Sequence, residues 1–212
     1  MKKNPGKSDR FTLIELMVVL AVVLLLVSVG IMVAPMVTRQ ASESKTKALM
    51  AMIDNALQEY KNSDVSGGHF PISPLTTKEK TMQYTPLFLF GNETLDVDKV
   101  KGTILQFFEY EQIKPQLAYV QAGTYGGHCV NDGFGMPFLY MAPGYRMNGG
   151  YDLISLGANS MPGDVDSKDL QKSDSVIHKR VVNGFLSVVD KKEAKYAKML
   201  GEGDDLANFK SK

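Results

Sequence analysis

Glu15 is the residue whose chemistry is hardest to ignore. It lies near the start of Phe11 to Val37, FTLIELMVVLAVVLLLVSVGIMVAPMV, an apolar run in which it is the one formal charge. A carboxylate carried into hydrocarbon costs on the order of 2.5–3.5 kcal/mol on insertion scales and usually has a partner. At the edge of such a run it can instead lie among lipid headgroups with no role. The other reactive side chains are scattered. His69, His128 and His178 are far apart in sequence, and Cys129 is the lone cysteine. His128 and Cys129 are adjacent, and neighbours in a strand point to opposite faces, so they do not make a nucleophile and its base. No G-x-S-x-G, H-E-x-x-H, P-loop or C-x-x-C is present. The expectation is a protein that is not an enzyme, its histidines serving the core or the surface. One cysteine excludes an internal disulfide and leaves the redox compartment open.

The element that must position Glu15 is the apolar run itself. From Leu16 to Val37 there are 22 residues without a formal charge, and a helix of that length rises ~33 Å, enough to cross a bilayer core. The run exceeds the ~7–15 apolar residues of a cleaved signal peptide, and no A-x-A-like site follows it. The anchor is therefore expected to stay. Residues 1–10, MKKNPGKSDR, set Lys2, Lys3, Lys7 and Arg10 against Asp9. This excess of positive charge places the leader in the cytoplasm and everything after Val37 outside.

Beyond Val37 the pattern becomes amphipathic. Ala48, Leu49, Met52, Ile53, Ala56, Leu57 and Tyr60 recur at helical spacing, with Lys45, Lys47, Asp54, Glu59 and Lys61 on the other face. Gly30 and Pro35 mark where the helix bends if it continues. A helix from Thr12 to Tyr60 would be ~70 Å long. It should end near Asn62-Ser63, because Gly67, Gly68, Pro71 and Pro74 cannot extend it. Its apolar stripe is expected to pack on the chain's own sheet.

Composition supports one anchored domain. The chain has 212 residues, 44% hydrophobic and 22% charged, with a net charge of +1 and a pI near 7.7. That balance has no nucleic-acid footprint, so partners are expected to be protein, with membrane contact and no nucleic acid. Pro86 to Phe90, Thr103 to Tyr110 and Leu117 to Gln121 are short strand or helix candidates within an expected surface insertion over 72–130. Asn131 to Tyr140, a loop holding Pro143-Gly144 and Gly149-Gly150, and the returning run Tyr151 to Leu156 form a hairpin by local chemistry. Val181 to Val189 is a further strand candidate, Lys191 to Leu200 a basic helix with a solvated face, and Gly201, Gly203, Asp204 and Asp205 suggest a frayed tail.

Phe11-Thr12-Leu13-Ile14-Glu15-Leu16-Met17, with the apolar run behind it, resembles the N-terminal signature of type IV pilins and type II secretion pseudopilins. The resemblance implies an α+β, pilin-like fold: a long N-terminal helix, membrane-spanning in its first half, packed on a small antiparallel β-sheet. It implies a prepilin peptidase that cuts between Arg10 and Phe11 and methylates the new Phe11 amine. It also implies that Glu15 faces a neighbouring subunit's N-terminus during assembly, an attraction strengthened in a low-dielectric filament core. Arg10 departs from the pattern, because that family normally has glycine before the cut. A pocket shaped for no side chain accepts arginine badly, which puts the cleavage in question.

Asp132 to Gly163 is similar to the C-terminal part of the major pseudopilin of type II secretion, whose pattern runs D-x-W/F-G-x-P, then a P-G turn, then Y/F-D-L-x-S-L-G-A-D. That likeness selects this branch over the disulfide-bearing adhesive pilins. It also implies a calcium ion after the hairpin, which here would draw on the Leu156 carbonyl, Asn159 (where the family commonly has Asp), Asp164 and Asp166, with Asp169 in reserve. Ca²⁺ takes six to eight oxygens from such groups. A solvated turn that binds nothing is the competing reading.

The organisation expected is thus a leader at 1–10, a transmembrane and assembly helix at 11–37, its amphipathic continuation at 38–61, a periplasmic domain at 62–169, and a C-terminal extension at 170–212. The function implied is a structural subunit of a type II secretion pseudopilus, single-pass in the bacterial inner membrane before assembly. Its partners would be further copies, other pseudopilins, the prepilin peptidase and the inner-membrane secretion platform. A type IV pilus pilin for adhesion or DNA uptake, and an unprocessed membrane-anchored binding protein, are the alternatives.

Overall fold

The computed structural model describes residues 12–71, 82–90, 104–122, 125–147 and 149–209. Arg10 and Phe11 lie outside the described residues, as does much of the expected insertion. The chain divides into two compact units, Met1–Gln40 and Ala41–Lys212.

Helix α1, Leu13–Asn62, continues through Pro35 and ends close to where the sequence places its end. In the first unit its apolar side chains have nothing to bury them: from Leu13 to Val27 the large ones are 50–77 % exposed. Among the described residues no helix is long and apolar enough to cross a membrane. The uncharged run includes residues 29–33, whose side chains lie outside the description. The membrane-spanning first half expected from the sequence is therefore not carried by the described residues.

In the second unit the amphipathic stripe of α1 packs on an antiparallel sheet, so the fold is α+β as the pilin-like resemblance implies. Strands β1 (Gln83–Pro86), β5 (Leu139–Met141), β6 (Asp152–Ser155), β7 (Leu186–Ser187) and β8 (Leu206–Ala207) form this sheet in the order β7-β1-β5-β6-β8. The β5–β6 hairpin pairs Leu139 with Ile154 and Tyr140 with Leu153. A smaller sheet, β2 (Phe88–Phe90), β4 (Tyr125–Val130) and β3 (Leu117–Ala122), lies in the order β2-β4-β3. Between β2 and β3 come a short 3₁₀ turn at Ile104–Phe107 and helix α2, Tyr110–Ile113.

Alternation along the hairpin strands separates two cores. Phe138, Tyr140 and Leu153 join Leu49, Ile53, Ala56 and Leu57 of α1 on one side. Leu139, Met141, Ile154 and Leu156 meet the C-terminal extension on the other, through Leu170, Ile177, Val181, Tyr196 and Leu200. The extension folds as α3 (Ser167–Ser173), α4 (Ser175–Val182), β7, α5 (Ala194–Met199) and β8. The strand expected over Val181 to Val189 is mostly otherwise: Asp174 caps α4 by accepting from Val176 N at 3.1 Å and Ile177 N at 3.2 Å. That cap starts a helix lasting to Val182, and two residues remain for β7. Lys191 to Leu200 does contain a helix, α5. The expected frayed tail is wrong, because β8 pairs Ile154 with Ala207 and Ser155 with Leu206.

One contact fixes α1 to the hairpin motif. Thr46, fully buried, donates from Oγ1 to the Ser42 carbonyl at 2.8 Å and accepts from Gly133 N at 2.9 Å. A Cβ on Gly133 would run into the Ser42 carbonyl oxygen and lie 2.8 Å from Thr46 Oγ1. Helix backbone cannot move aside cheaply, so Gly133→Ala should destabilise the domain by about 1–3 kcal/mol, measurable by denaturant unfolding of the detergent-solubilised protein.

Candidate functional site

Glu15 is placed by the first turn of α1. Its Oε2 accepts from Thr12 N at 2.7 Å and from Thr12 Oγ1 at 3.0 Å, while Glu15 N donates to Thr12 Oγ1 at 3.2 Å. This is the reciprocal capping of a T-x-x-E box, which satisfies amides that a helix start leaves unpaired. The carboxylate thus has a partner inside its own chain. Around it lies the exposed apolar surface of the first unit, the kind of surface that marks contact with lipid or another protein.

The aspartates of the hairpin motif hold turns. Asp132, 1 % exposed, accepts from Phe134 N at 2.8 Å and Met136 N at 2.9 Å through Oδ1, and from Ser155 Oγ at 2.6 Å through Oδ2. Burial raises its pKa, against the opposing hydrogen bonds from Ser155 and the turn amides. Asp152 is fully buried and ties three segments together. Its Oδ2 accepts from Tyr84 Oη and Arg146 N, each at 2.8 Å, and its Oδ1 from Met147 N at 2.9 Å. Burial, and then the Asp152 charge, push the Tyr84 phenol upward, so it stays a donor. Pro143-Gly144 crosses above this carboxylate, and a Cβ on Gly144 would sit 2.5 Å from Asp152 Oδ1.

The expected calcium donors lie in the loop after β6. Asn159 is used locally: Nδ2 donates to the Gly163 carbonyl at 2.7 Å and Oδ1 accepts from Met161 N at 2.8 Å. Asp166 is the N-cap of α3, accepting from Lys168 N at 2.7 Å, and Asp169 is in that helix's first turn. Asp164 faces Gly203, where a Cβ would meet its carboxylate. Among the described residues no three His, Cys, Asp or Glu side chains group closely enough to hold a metal ion.

Two residues that bear on this loop escaped the sequence reading. Asp204 Oδ2 accepts from Ala158 N at 2.8 Å and Asn159 N at 3.0 Å. Asp205 Oδ2 accepts from Gly163 N at 2.9 Å and Gly201 N at 3.0 Å. Burial pushes the Asp205 carboxyl up to about 8; the charges of Asp204 and Asp164 add to this, and the Gly163 and Gly201 amides oppose it. Asn208 finishes the seam by accepting from Leu153 N at 2.9 Å and donating to the Tyr151 carbonyl at 3.1 Å.

Elsewhere the geometry has little reactivity. Cys129 is fully buried in β4, donates to the Ala118 carbonyl at 3.6 Å, and has its thiol pushed up to about 12 by burial. A thiol so far from ionising is a poor nucleophile. His128 meets Tyr119 edge-to-face with ring centres 5.4 Å apart. A 420 Å³ groove lined by Met50, Asp54, Phe70 and Tyr151 is bridged by the Tyr151 hydroxyl bonding Asp54.

With the hairpin and its aspartates in place, one comparison bears on them. Residues 105–173 match the family model of type II secretion system (T2SS), protein G. The match supports the pseudopilin family. It begins within the 3₁₀ turn before α2 and ends with α3, so it holds β3 to β6 and the Asp132 and Asp152 turns. T2SS pseudopilins are structural rather than catalytic, are membrane-associated, and assemble with other pseudopilins into a filament. No curated protein and no solved structure gives a significant match.

The Asp205 carboxyl gives a pH prediction. The folded group keeps its proton up to about 8, whereas an unfolded aspartate loses it near 3.9. Between those values the folded state binds more protons, so this group's contribution to stability is full at low pH and falls as pH rises through that window. Asp205→Asn keeps an acceptor for both amides and has no proton to lose. Thermal melts from pH 4 to 8.5 should show a shallower decline in the variant, which melts higher than the parent at pH 8 by about 2–4 °C or more.

Proposed function

We propose that this chain is a structural subunit of a type II secretion pseudopilus, polymerising through its N-terminal hydrophobic helix to drive protein export across the outer membrane. The match over residues 105–173 is the observation that supports this reading most strongly. The exposed apolar surface of α1 supports it too, since a surface so far from water's preference needs either lipid or neighbouring copies around it.

In this reading Leu16 to Val37 holds the unassembled chain in the inner membrane, leader inside and domain outside. A prepilin peptidase cuts after Arg10, and the inner-membrane platform moves the processed subunit into the filament. The Glu15 carboxylate then exchanges part of its bonding to Thr12 for the Phe11 ammonium of a neighbour. An ion pair shielded from water is stronger than one at a surface, which makes registry between copies depend on it. A second reading, an anchored protein that keeps its leader, is favoured by Arg10 standing in the position before the cut.

Two measurements separate these possibilities. Intact mass of the purified chain should begin at N-methylated Phe11; retention of Met1 to Arg10 on every copy overturns the assembly route. Glu15→Gln preserves the acceptor that caps Thr12 but removes the charge, whereas Glu15→Ala removes both. Loss of filaments by roughly tenfold or more in both variants, scored by shearing or microscopy, is the expected outcome of a charge-dependent contact worth at least about 1.4 kcal/mol. Rescue by Glu15→Gln would reduce the residue to a helix cap.

A further inference from the structure

We infer that the C-terminal tail of this chain takes the place of a bound cation in fixing the loop after the hairpin. The pseudopilin resemblance implies calcium at that loop, supplied by the Leu156 carbonyl, Asn159, Asp164 and Asp166. Two of the four are committed elsewhere, and among the described residues no three His, Cys, Asp or Glu side chains group closely enough to hold a metal ion. Asn159 spends both ends of its amide on Gly163 and Met161, and Asp166 is turned to the start of α3.

What holds the loop is instead a pair of carboxylates from 45 and 42 residues further along. Asp204 takes the two amides at the loop's entry, Ala158 and Asn159, and Asp205 takes the Gly163 amide at its exit. A cation organises a loop by drawing its carbonyls and carboxylates inward. Here the polarity is reversed: the loop presents N–H donors, and the tail provides the acceptors.

The backbone is shaped for this arrangement. Gly157 has φ +62°, and a Cβ there would strike the Asp204 carbonyl; Gly203 has φ +61°, and a Cβ there would strike the Asp164 carboxylate. Both glycines permit a left-handed turn and a close approach at once. The tail is also anchored on either side of the clamp. Asp205 reaches back to Gly201 in its own turn, and β8 pairs with β6, followed by Asn208 on Leu153 and Tyr151. Asp164, Asp204 and Asp205 still bring like charges together, and Asp204 Oδ1 and Asp205 Oδ1 are buried with no hydrogen-bond partner, so whether calcium reaches these oxygens is what the test must decide.

The test uses the full chain in detergent, melted in EGTA and in 5 mM CaCl₂ flanked by the same concentration of MgCl₂ as control. The parent should melt at the same temperature in all three within about 1 °C, and Asp204→Ala/Asp205→Ala should fall by about 4 °C or more in EGTA as well as in calcium. Asp204→Asn/Asp205→Asn, which keeps the acceptors without the charge, should stay within about 2 °C of the parent or above it. A calcium-specific rise of the parent by about 4 °C or more, abolished in the Asn pair, would overturn the inference and make the tail aspartates ligands. An Ala pair that melts with the parent would overturn it as well. Should the Ala pair fail to fold, the Asn pair and the parent's response to calcium still decide the matter.

Discussion

Both faces of the β5–β6 hairpin are buried, and from that constraint most of the domain follows. A sheet with one wet face needs apolar residues at alternate positions only; this one must satisfy a core on each side, at about 1.5–3 kcal/mol for each large side chain removed from water. α1 covers the side of Phe138, Tyr140 and Leu153, and the extension beyond Gly163 covers the side of Leu139, Met141 and Ile154. With no face open, the turn amides near the hairpin need partners within the protein. Asp132 and Asp152 meet that demand, gathering turn amides, a serine and a tyrosine around two carboxylates.

The extension is accordingly part of the domain's framework. It supplies both outer strands of the larger sheet, three helices for the second core, and the ion pair in which the partly exposed Arg180 meets the buried Glu193 at 2.9 Å. Glu193 also accepts from Ser187 N at 2.7 Å, which connects α5 to β7. A family match that stops at residue 173 therefore stops partway through a single packed structure.

Much of this was legible before any coordinates. The heptad-like stripe from Leu49 to Tyr60, the helix end at Asn62 and the hairpin between Asp132 and Leu156 all follow from local chemistry, because periodicity and turn residues act over a few positions. The Thr12 to Glu15 cap is also written in T-x-x-E. The tail was not legible, since Gly-Glu-Gly-Asp-Asp has the composition of a loose end and its partners lie more than 40 residues away. A signal was nevertheless present. Phe138 to Ala142 is apolar without alternation, as is most of Leu153 to Leu156, and runs of that kind belong to strands covered on both faces. The missing cover had to come from the segment that followed. Val181 to Val189 misled because its valines favour a strand, and the Asp174 cap outweighed them.

The single thiol bears on any contact between copies. Cys129 sits in the interior of β4, inaccessible and far from its ionised form. In an oxidising compartment, exposed cysteines on crowded neighbours become covalently joined, and separating them then needs a reductant. Molecules of this chain cannot be riveted to one another that way. Whatever association they enter stays governed by reversible contacts, and a copy that leaves does so intact.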